Sequence, residues 1–487
     1  MLVVRNRPRR NARSMITKMA FVILTGAFGV VAHASELPNT AQVGSAEPQS
    51  LSLTSAINLA LAQNRSLVLT SLGTRSSELG VAAAQTEFRL SVRPELAPII
   101  SNDDSSSVYG VSVARKLQWG TRLSAALRSE PGAFGNARGE RVVVQVSQPL
   151  FRNAGRLIAL EPTTQANQAL RSAQRRFENQ KADLVVEVVA SYENVLRLEQ
   201  QVRADRAAVA RASGLLRLTQ AKERLGRVTR IDTLRVELQH GQALSRLEND
   251  DARLAAQYRD LAELLGMKPN TPLQLAPTTV FAVDPVSPEQ GVTVALNNRL
   301  DYAQALQDLD DAERGTRIAH RGLLPDVNAV ARYDRADLAI DGFDSRNRDR
   351  WLLGLSSNSD LNRAVERVAL SQALLDRNTA QQRIGVIELS IAREVQQRLL
   401  NYRRAHAELG ILERNLDHAA ARLQLAQRLF EAGRGDNFSV TDAEQAFLDA
   451  ESRLLTGRSD ATLSGYQLLQ SLGTLTETPD SLKPQRI

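Results

Sequence analysis

In the last quarter of the chain Val395, Leu399, Tyr402, Ala405, Leu409, Leu412, Leu416, Ala419 and Leu423 follow one another in steps of three and four. That spacing lays one apolar seam along a helix, the seam a coiled-coil partner covers. Leu184, Val188, Tyr192, Val195 and Val202 repeat it less regularly. Proline is absent between Pro162 and Pro269 and again between Pro325 and Pro479, as long helices require. Residues ~157–225 and ~364–432 are therefore each expected to form one helix, and at ~1.5 Å per residue each is roughly 100 Å long.

Each of these helices ends in the same way. "ERLGRVTRIDTLRVE" (223–237) is echoed by "EAGRGDNFSVTDAEQ" (431–445), with Gly226 on Gly433 and Thr229 on Asp436 at a constant offset of 207 positions (433 less 226). Leu265-Gly266 and Leu472-Gly473 keep the same offset. The glycines suit the left-handed residue that stops a helix, and Thr229 and Asp436 suit the N-cap of the next. Thr229-x-x-Asp232 also has the form of a capping box, with Asp for the usual Glu. Both stretches read as reversals between two helices.

The upstream parts repeat as well. "ALAQNRSL" (60–67) resembles "ALNNRLDY" (295–302), and "RPELAPI" (93–99) resembles "LPDVNAV" (324–330). Each repeat reads helix, strand region, long helix, turn, returning helix. Strand signals lie at about 94–150 and about 326–358, in "SSVYGVSVARKLQWGTRLSAALRSE", "ERVVVQVSQPLF", "DVNAVARYDR" and "DRWLLGLSSN". Segments of about ten residues suit outer-membrane strands and soluble hairpins alike. The expected division is a leader at 1–34, a first repeat at 35–266 with its turn at 226–229, and a proline-rich linker at 267–290. A second repeat follows at 291–475 with its turn at 433–436, then a tail at 476–487.

Charge changes the picture little. The formal net charge is +7, but "MLVVRNRPRRNARSMITKMA" holds six basic and no acidic residues, and "FVILTGAFGVVAHA" follows. This reads as a cleavable signal peptide with Ala32-His33-Ala34 before the cut. The remaining chain is near neutral, so its basic pI is no argument for nucleic acid. Cysteine is absent, which excludes disulfides, thiolate metal sites, a cysteine nucleophile and a lipidated N-terminal cysteine. No later stretch reaches the ~18 apolar residues of a membrane-spanning helix, so any crossing would be made by strands. His240, His320, His406 and His418 stand singly, and no phosphate loop or nucleophile elbow is present. The sequence thus offers no catalytic residue, no metal ligand set and no cofactor site.

Taken together, the paired starts "LSLTSAINLALAQNRSL" and "VTVALNNRLDY", the "VSQPLF" before the first long helix, the two glycine turns and the closing "SLGTL" (471–475) resemble the outer-membrane efflux protein family, the TolC-like channels. The resemblance implies a mainly α fold with a small β portion. Two tandem helical hairpins would build a trimeric α-helical tunnel, and each chain would give four strands to a shared twelve-stranded outer-membrane barrel. It further implies a passive exit duct of a tripartite efflux or type I secretion system. Its partners would be a homotrimer, a periplasmic adaptor (membrane fusion) protein at the hairpin tips, an inner-membrane pump or ABC exporter, and outer-membrane lipid.

Carried over by position, the family's gate falls on Asp232, Phe430, Gly435, Ser439 and Asp442, where the family has aspartate, tyrosine, arginine and two aspartates. Phe430 lacks the hydroxyl and Gly435 the charge. Arg227, Arg230 or Arg434 is accordingly expected to supply a cation for Asp232, and Gly226, Thr229, Gly433 and Asp436 to mark the tips where an adaptor docks. A second departure is length, since Pro94 to Leu150 spans about twenty residues more than Pro325 to Leu361. An extra hairpin around Trp119-Gly120 is expected to extend the barrel mouth or lie beside it. The rival reading is a periplasmic coiled-coil adaptor or scaffold of the same export systems. Such proteins usually carry one hairpin, flanking all-β domains and an inner-membrane anchor or lipid.

Overall fold

The computed structural model describes residues 50–100, 105–131, 138–283, 286–340, 343–360, 362–476 and 482; the expected leader lies outside them. Two short helices, α1 (Leu53–Gln63) and α2 (Arg65–Thr86), lead into strands β1 (Ser91–Ile100), β2 (Ser105–Lys116), β3 (Arg122–Pro131) and β4 (Arg138–Pro149). A single turn, α3 (Arg156–Ala159), precedes the long helix α4 (Glu161–Arg224), which reverses into α5 (Arg230–Leu264). The second half repeats the order with α6 (Pro288–Asn298), α7 (Leu300–Gly322), β5 (Val327–Ile340), β6 (Phe343–Ser357), α8 (Ala364–Glu431) and α9 (Asn437–Leu472). Among the described residues no helix is long and apolar enough to cross a membrane.

Two cores hold the helices together, and they are copies. The first contains Leu184, Val188, Tyr192, Leu261 and Leu265; the second contains Ile391, Val395, Leu399, Leu468 and Leu472. Every pair in that order is separated by the offset of 207 already seen at the turns. Each core is closed by the kinked pair of short helices laid on it, α1–α2 through Ala56 and Ala60, α6–α7 through Ala295. A tyrosine on each long helix also ties down the neighbouring connection. The Tyr192 hydroxyl lies 2.7 Å from the carbonyls of both Leu51 and Ala276, which share its one proton, and the Tyr402 hydroxyl receives the Val283 N–H at 2.8 Å.

Glycine is required where each returning helix stops. Gly266 has φ +77, and a Cβ there would lie 2.4 Å from the Gln63 carbonyl oxygen; Gly473 has φ +70, and a Cβ would lie 3.0 Å from the Asn298 carbonyl carbon. The left-handed backbone and the close approach to the helix joint together leave room for hydrogen only.

The strands form one antiparallel sheet in sequence order, β1-β2-β3-β4-β5-β6. Among the described residues the chain therefore brings six strands, not the four implied by the resemblance. The excess is the β2–β3 hairpin, which is neither a mouth extension nor a neighbour of the sheet but is inserted within it between β1 and β4. The cores measure the insertion: Ala60 to Leu184 is 28 residues longer than Ala295 to Ile391 (124 against 96).

Period-two alternation gives the sheet two unlike faces. One cross-strand row reads Val92, Val113, Ala125, Val144, Tyr333 and Trp351; the next, on the opposite face, reads Arg93, Ser112, Ala126, Val143, Asp334 and Arg350. On the apolar face Trp351, Leu353 and Leu355 are 80%, 86% and 73% exposed. On the other face charges pair across strands, with Arg128 gripping Glu95 at 2.7 and 3.2 Å and Arg141 gripping Asp334 at 2.9 and 2.6 Å. The second pair joins neighbouring strands β4 and β5, whereas the first reaches from β1 to β3 across Gly110 of β2.

Candidate functional site at the hairpin tips

At the first tip α4 ends on Gly226 (φ +67), with the Gly226 N–H on the Glu223 carbonyl at 2.8 Å and the Arg227 N–H on the Lys222 carbonyl at 2.9 Å. Thr229 then caps α5. Its hydroxyl accepts from the Asp232 N–H at 3.4 Å and donates to Asp232 Oδ2 at 2.7 Å, while its own N–H reaches the same oxygen at 3.0 Å. These bonds from Thr229, helped by the nearby Arg235 cation, hold the Asp232 carboxyl below the usual aspartate range. The second tip is built alike. Gly433 (φ +74) ends α8 and Asp436 Oδ1 accepts the Ser439 N–H at 2.8 Å, and the Ser439 side chain first, then this N–H, lower the Asp436 pKa.

The two tips lie side by side and are bonded to each other. Asn437 donates to the Asp232 carbonyl at 3.1 Å, and Thr441 donates to Gln239 at 3.2 Å. Lys222 stands 3.8 Å above the centroid of the Phe430 ring and also donates to the Phe430 carbonyl. Phe430, buried at 3% exposure, thus meets a cation over its face, a contact worth about 0.5–2 kcal/mol by general experience. Deeper between the hairpins Arg211 pairs with Glu444 at 2.8 Å. Phe430, Arg211 and Glu444 line a cavity of about 330 Å³ with Leu215, Leu218 and Val440.

The remaining sequence candidates separate. Asp442 is exposed and pairs with Arg422 of its own hairpin. Ser439 is exposed and uses its backbone N–H on the cap. Arg230 lies 3.7 Å from both Glu223 and Glu237, and Arg227 and Arg434 are exposed without an acidic partner among the described residues. Within the chain none of these three meets Asp232; the guanidinium that does, at 3.6 Å, is Arg235. Its place one turn along the same helix was the readable signal. Lys222, Arg211 and Glu444 carried no such signal, because their partners are more than two hundred positions away.

Outside the tips, α2 and α8 expose apolar side chains along their lengths. Leu69, Leu72 and Leu79 of α2 and Val365, Val368, Leu375, Val386 and Leu389 of α8 are exposed. At the tips themselves Leu225, Ile231 and Phe438 are 73%, 68% and 59% exposed.

With this geometry in place, residues 292–474 match the family described as outer membrane efflux protein. The chain is 24% identical over 345 residues to the outer membrane protein TolC of Vibrio cholerae, covering 69% of this chain and 76% of that protein. In structure it is similar to the outer-membrane channel OprN (TM-score 0.68, 16% identity, 86% of this chain and 89% of that one). It is likewise similar to VceC of Vibrio cholerae (0.66, 15%, 86% and 96%) and to the open state of the MtrE channel of Neisseria gonorrhoeae (0.64, 15%, 87% and 89%).

Proposed function

We propose that this TolC-like chain, whose residues 292–474 carry the match to the outer membrane efflux protein family, is the outer-membrane exit duct of a tripartite efflux or type I secretion system. The observation that carries the reading is the direct continuity of an amphipathic sheet with two helical hairpins. The apolar row from Val92 to Trp351 suits lipid on one side, and the row from Arg93 to Arg350 suits water on the other. The long helices α4 and α8, of 64 and 68 residues, are about 100 Å at ~1.5 Å per residue, the scale of a periplasmic tunnel.

Assembly is proposed to be a homotrimer. The exposed apolar side chains on α2 and α8 would be covered by packing between copies. The leader would export the chain, no lipid anchor would be added, and the trimer would sit in the outer membrane and extend into the periplasm. Leu225, Ile231 and Phe438, around the turns at Gly226, Thr229, Gly433 and Asp436, would receive the periplasmic adaptor. Asp232 and Asp442 would take part in closing the tunnel, with Lys222 on Phe430 and Arg211 on Glu444 latching one hairpin to the other. The duct performs no covalent step; an inner-membrane pump or ABC exporter supplies the energy.

Planar-bilayer conductance of the detergent-extracted protein, run beside its size on unheated gels, tests this. Small, long-lived unitary currents from a particle that resists SDS are expected. A soluble chain that never inserts would reject the duct and return the two hairpins to the adaptor reading.

A further inference from the structure

The β2–β3 hairpin is the part of the sheet that the resemblance does not account for, and its side chains follow the rule of its neighbours. Val111 and Val113 on β2 and Leu123, Ala125 and Leu127 on β3 face the same way as Val144 and Val146 on β4. Ser112, Ser124 and Arg128 share the other face with Gln145 and Arg141. A hairpin held off the membrane would have no use for an apolar face in register with a membrane strand.

Its lower turn is also fixed. Leu117 N–H reaches the Thr121 carbonyl at 2.8 Å, Gly155 N–H reaches the Trp119 carbonyl at 3.2 Å, and the Arg156 guanidinium lies 6.0 Å over the Trp119 ring. Gly120 (φ +92) is buried there, with space for a Cβ blocked at 3.1 Å by the Asn153 carbonyl. The turn is therefore seated against the start of the first long helix, level with the other strand ends.

Strands β1 and β6 remain as the two edges. In lipid an open edge leaves backbone N–H and C=O groups without partners, so the sheet must close on something. One sheet of six alternating strands has β1 and β6 running in opposite directions, so β6 of one copy meets β1 of the next in the antiparallel sense without any reversal. We infer that the β2–β3 hairpin is part of the membrane wall, and that three copies of this sheet close edge to edge into an eighteen-stranded barrel. This rests on the trimeric duct proposed above. Because barrel diameter grows nearly in proportion to strand number, the barrel is about half as wide again as a twelve-stranded one. Among the described residues each copy still sends two hairpins and their short helices below the sheet, so the wider barrel would not by itself widen the helical tunnel.

The cysteine-free sequence makes the test direct. Single cysteines are placed in the full-length protein at Val111→Cys and Leu127→Cys on the apolar face of the hairpin and at Ser112→Cys and Ser124→Cys on the other. Val144→Cys and Gln145→Cys on β4 serve as references. In reconstituted membranes a water-soluble maleimide is expected to label positions 112, 124 and 145, and a bilayer-confined maleimide positions 111, 127 and 144. Water-soluble labelling of both faces of the hairpin, with alternation kept on β4, would overturn the wider barrel and leave the duct standing. Loss of alternation on β4 as well would remove both. Images of the extracted particle viewed along the membrane normal then count the wall: eighteen strands sustain the inference and twelve refute it.

Discussion

Two joints, one in each repeat, occupy the same place and are made from different chemistry. Between α1 and α2 the hinge is Asn64, a buried neutral amide whose Oδ1 accepts the Leu67 N–H at 3.1 Å and whose Nδ2 donates to the Leu264 carbonyl at 2.9 Å. Between α6 and α7 it is Arg299, whose guanidinium pairs with Asp301 at 2.8 Å and Glu394 at 2.5 Å and reaches the Ser471 carbonyl at 3.4 Å. Leu264 and Ser471 are again 207 positions apart. What is common to both joints is a carbonyl at the end of the returning helix that needs a donor. The donor is interchangeable, and the charged version brings carboxylates with it. Burial works against the Arg299 cation, and the Asp301 and Glu394 contacts together outweigh it, leaving the guanidinium pKa above its usual value.

The sharpest way to break this equivalence is at the glycines behind the joints. Gly266→Ala is expected to cost about 4 kcal/mol, from a left-handed alanine plus a clash with backbone that cannot yield. Gly473→Ala, with its wider 3.0 Å approach, is expected to cost about 2 kcal/mol. Thermal unfolding of the two variants in detergent, monitored by helical circular dichroism, ranks them. Equal losses would show that the two joints are not packed as differently as the distances state.

Next come the hinges themselves. Arg299→Ala strands Asp301 and Glu394, both partly exposed, and is expected to cost about 2–3 kcal/mol, toward the low end for a broken buried pair. Asn64→Ala removes a cap and one further bond and is expected to cost about 1–2 kcal/mol. The same melts decide the order, and Arg299→Lys, which keeps the charge but loses the fork, should fall between Arg299→Ala and the unaltered protein.

A smaller effect distinguishes the shafts of the two hairpins. In the first, Asp205 is buried at 3% exposure, and burial, with the neighbouring Asp250, raises its pKa to about 6. A folded-state pKa above the unfolded one means that the folded chain binds the extra proton, so this residue's contribution to stability falls as pH rises through about 4 to 6. Asp205→Asn is expected to flatten stability over that interval and to raise it slightly at neutral pH; urea midpoints at pH 5 and pH 7.5 test it. A variant whose pH dependence matches the unaltered protein would dismiss Asp205 as the source.

The smallest expected change in stability is at the tips; under the proposed duct, their effect is read in the current. Asp232→Ala and Asp442→Ala each remove an exposed or half-exposed acid, and single-channel recording should show higher open probability if these acids help to close the tunnel. Unchanged traces from both would end the gate assignment.

Much of this architecture was legible because a repeat is read by subtraction. One offset fits the turns, the Leu-Gly stops and five buried pairs of the cores, since a long helix cannot gain a residue without rotating its apolar seam away from its partner. The extra hairpin around Trp119-Gly120 was legible from length, but its place within the sheet was not. Ser112, Ala114, Ser124 and Ala126 interleave small residues among the valines and leucines of β2 and β3, so apolar and polar faces differ too little in one strand and separate only when six are laid side by side. At the tips, Asp232 and Phe430 could be placed by alignment, but their partners could not. Lys222 meets Phe430 across 208 positions, and no periodicity reports a contact of that kind.

The pairing of β4 with β5 sets a problem of timing. Gly139 finds Leu338 and Pro149 finds Asn328, so a strand made early must wait for one made nearly two hundred residues later. Until then the Val142-Val143-Val144 run is an open, β-prone edge, the kind of surface on which unfinished chains join the wrong neighbour. Long-range pairing of this sort folds slowly, and in the proposed outer-membrane duct it would leave that edge in need of cover until the later strand arrives.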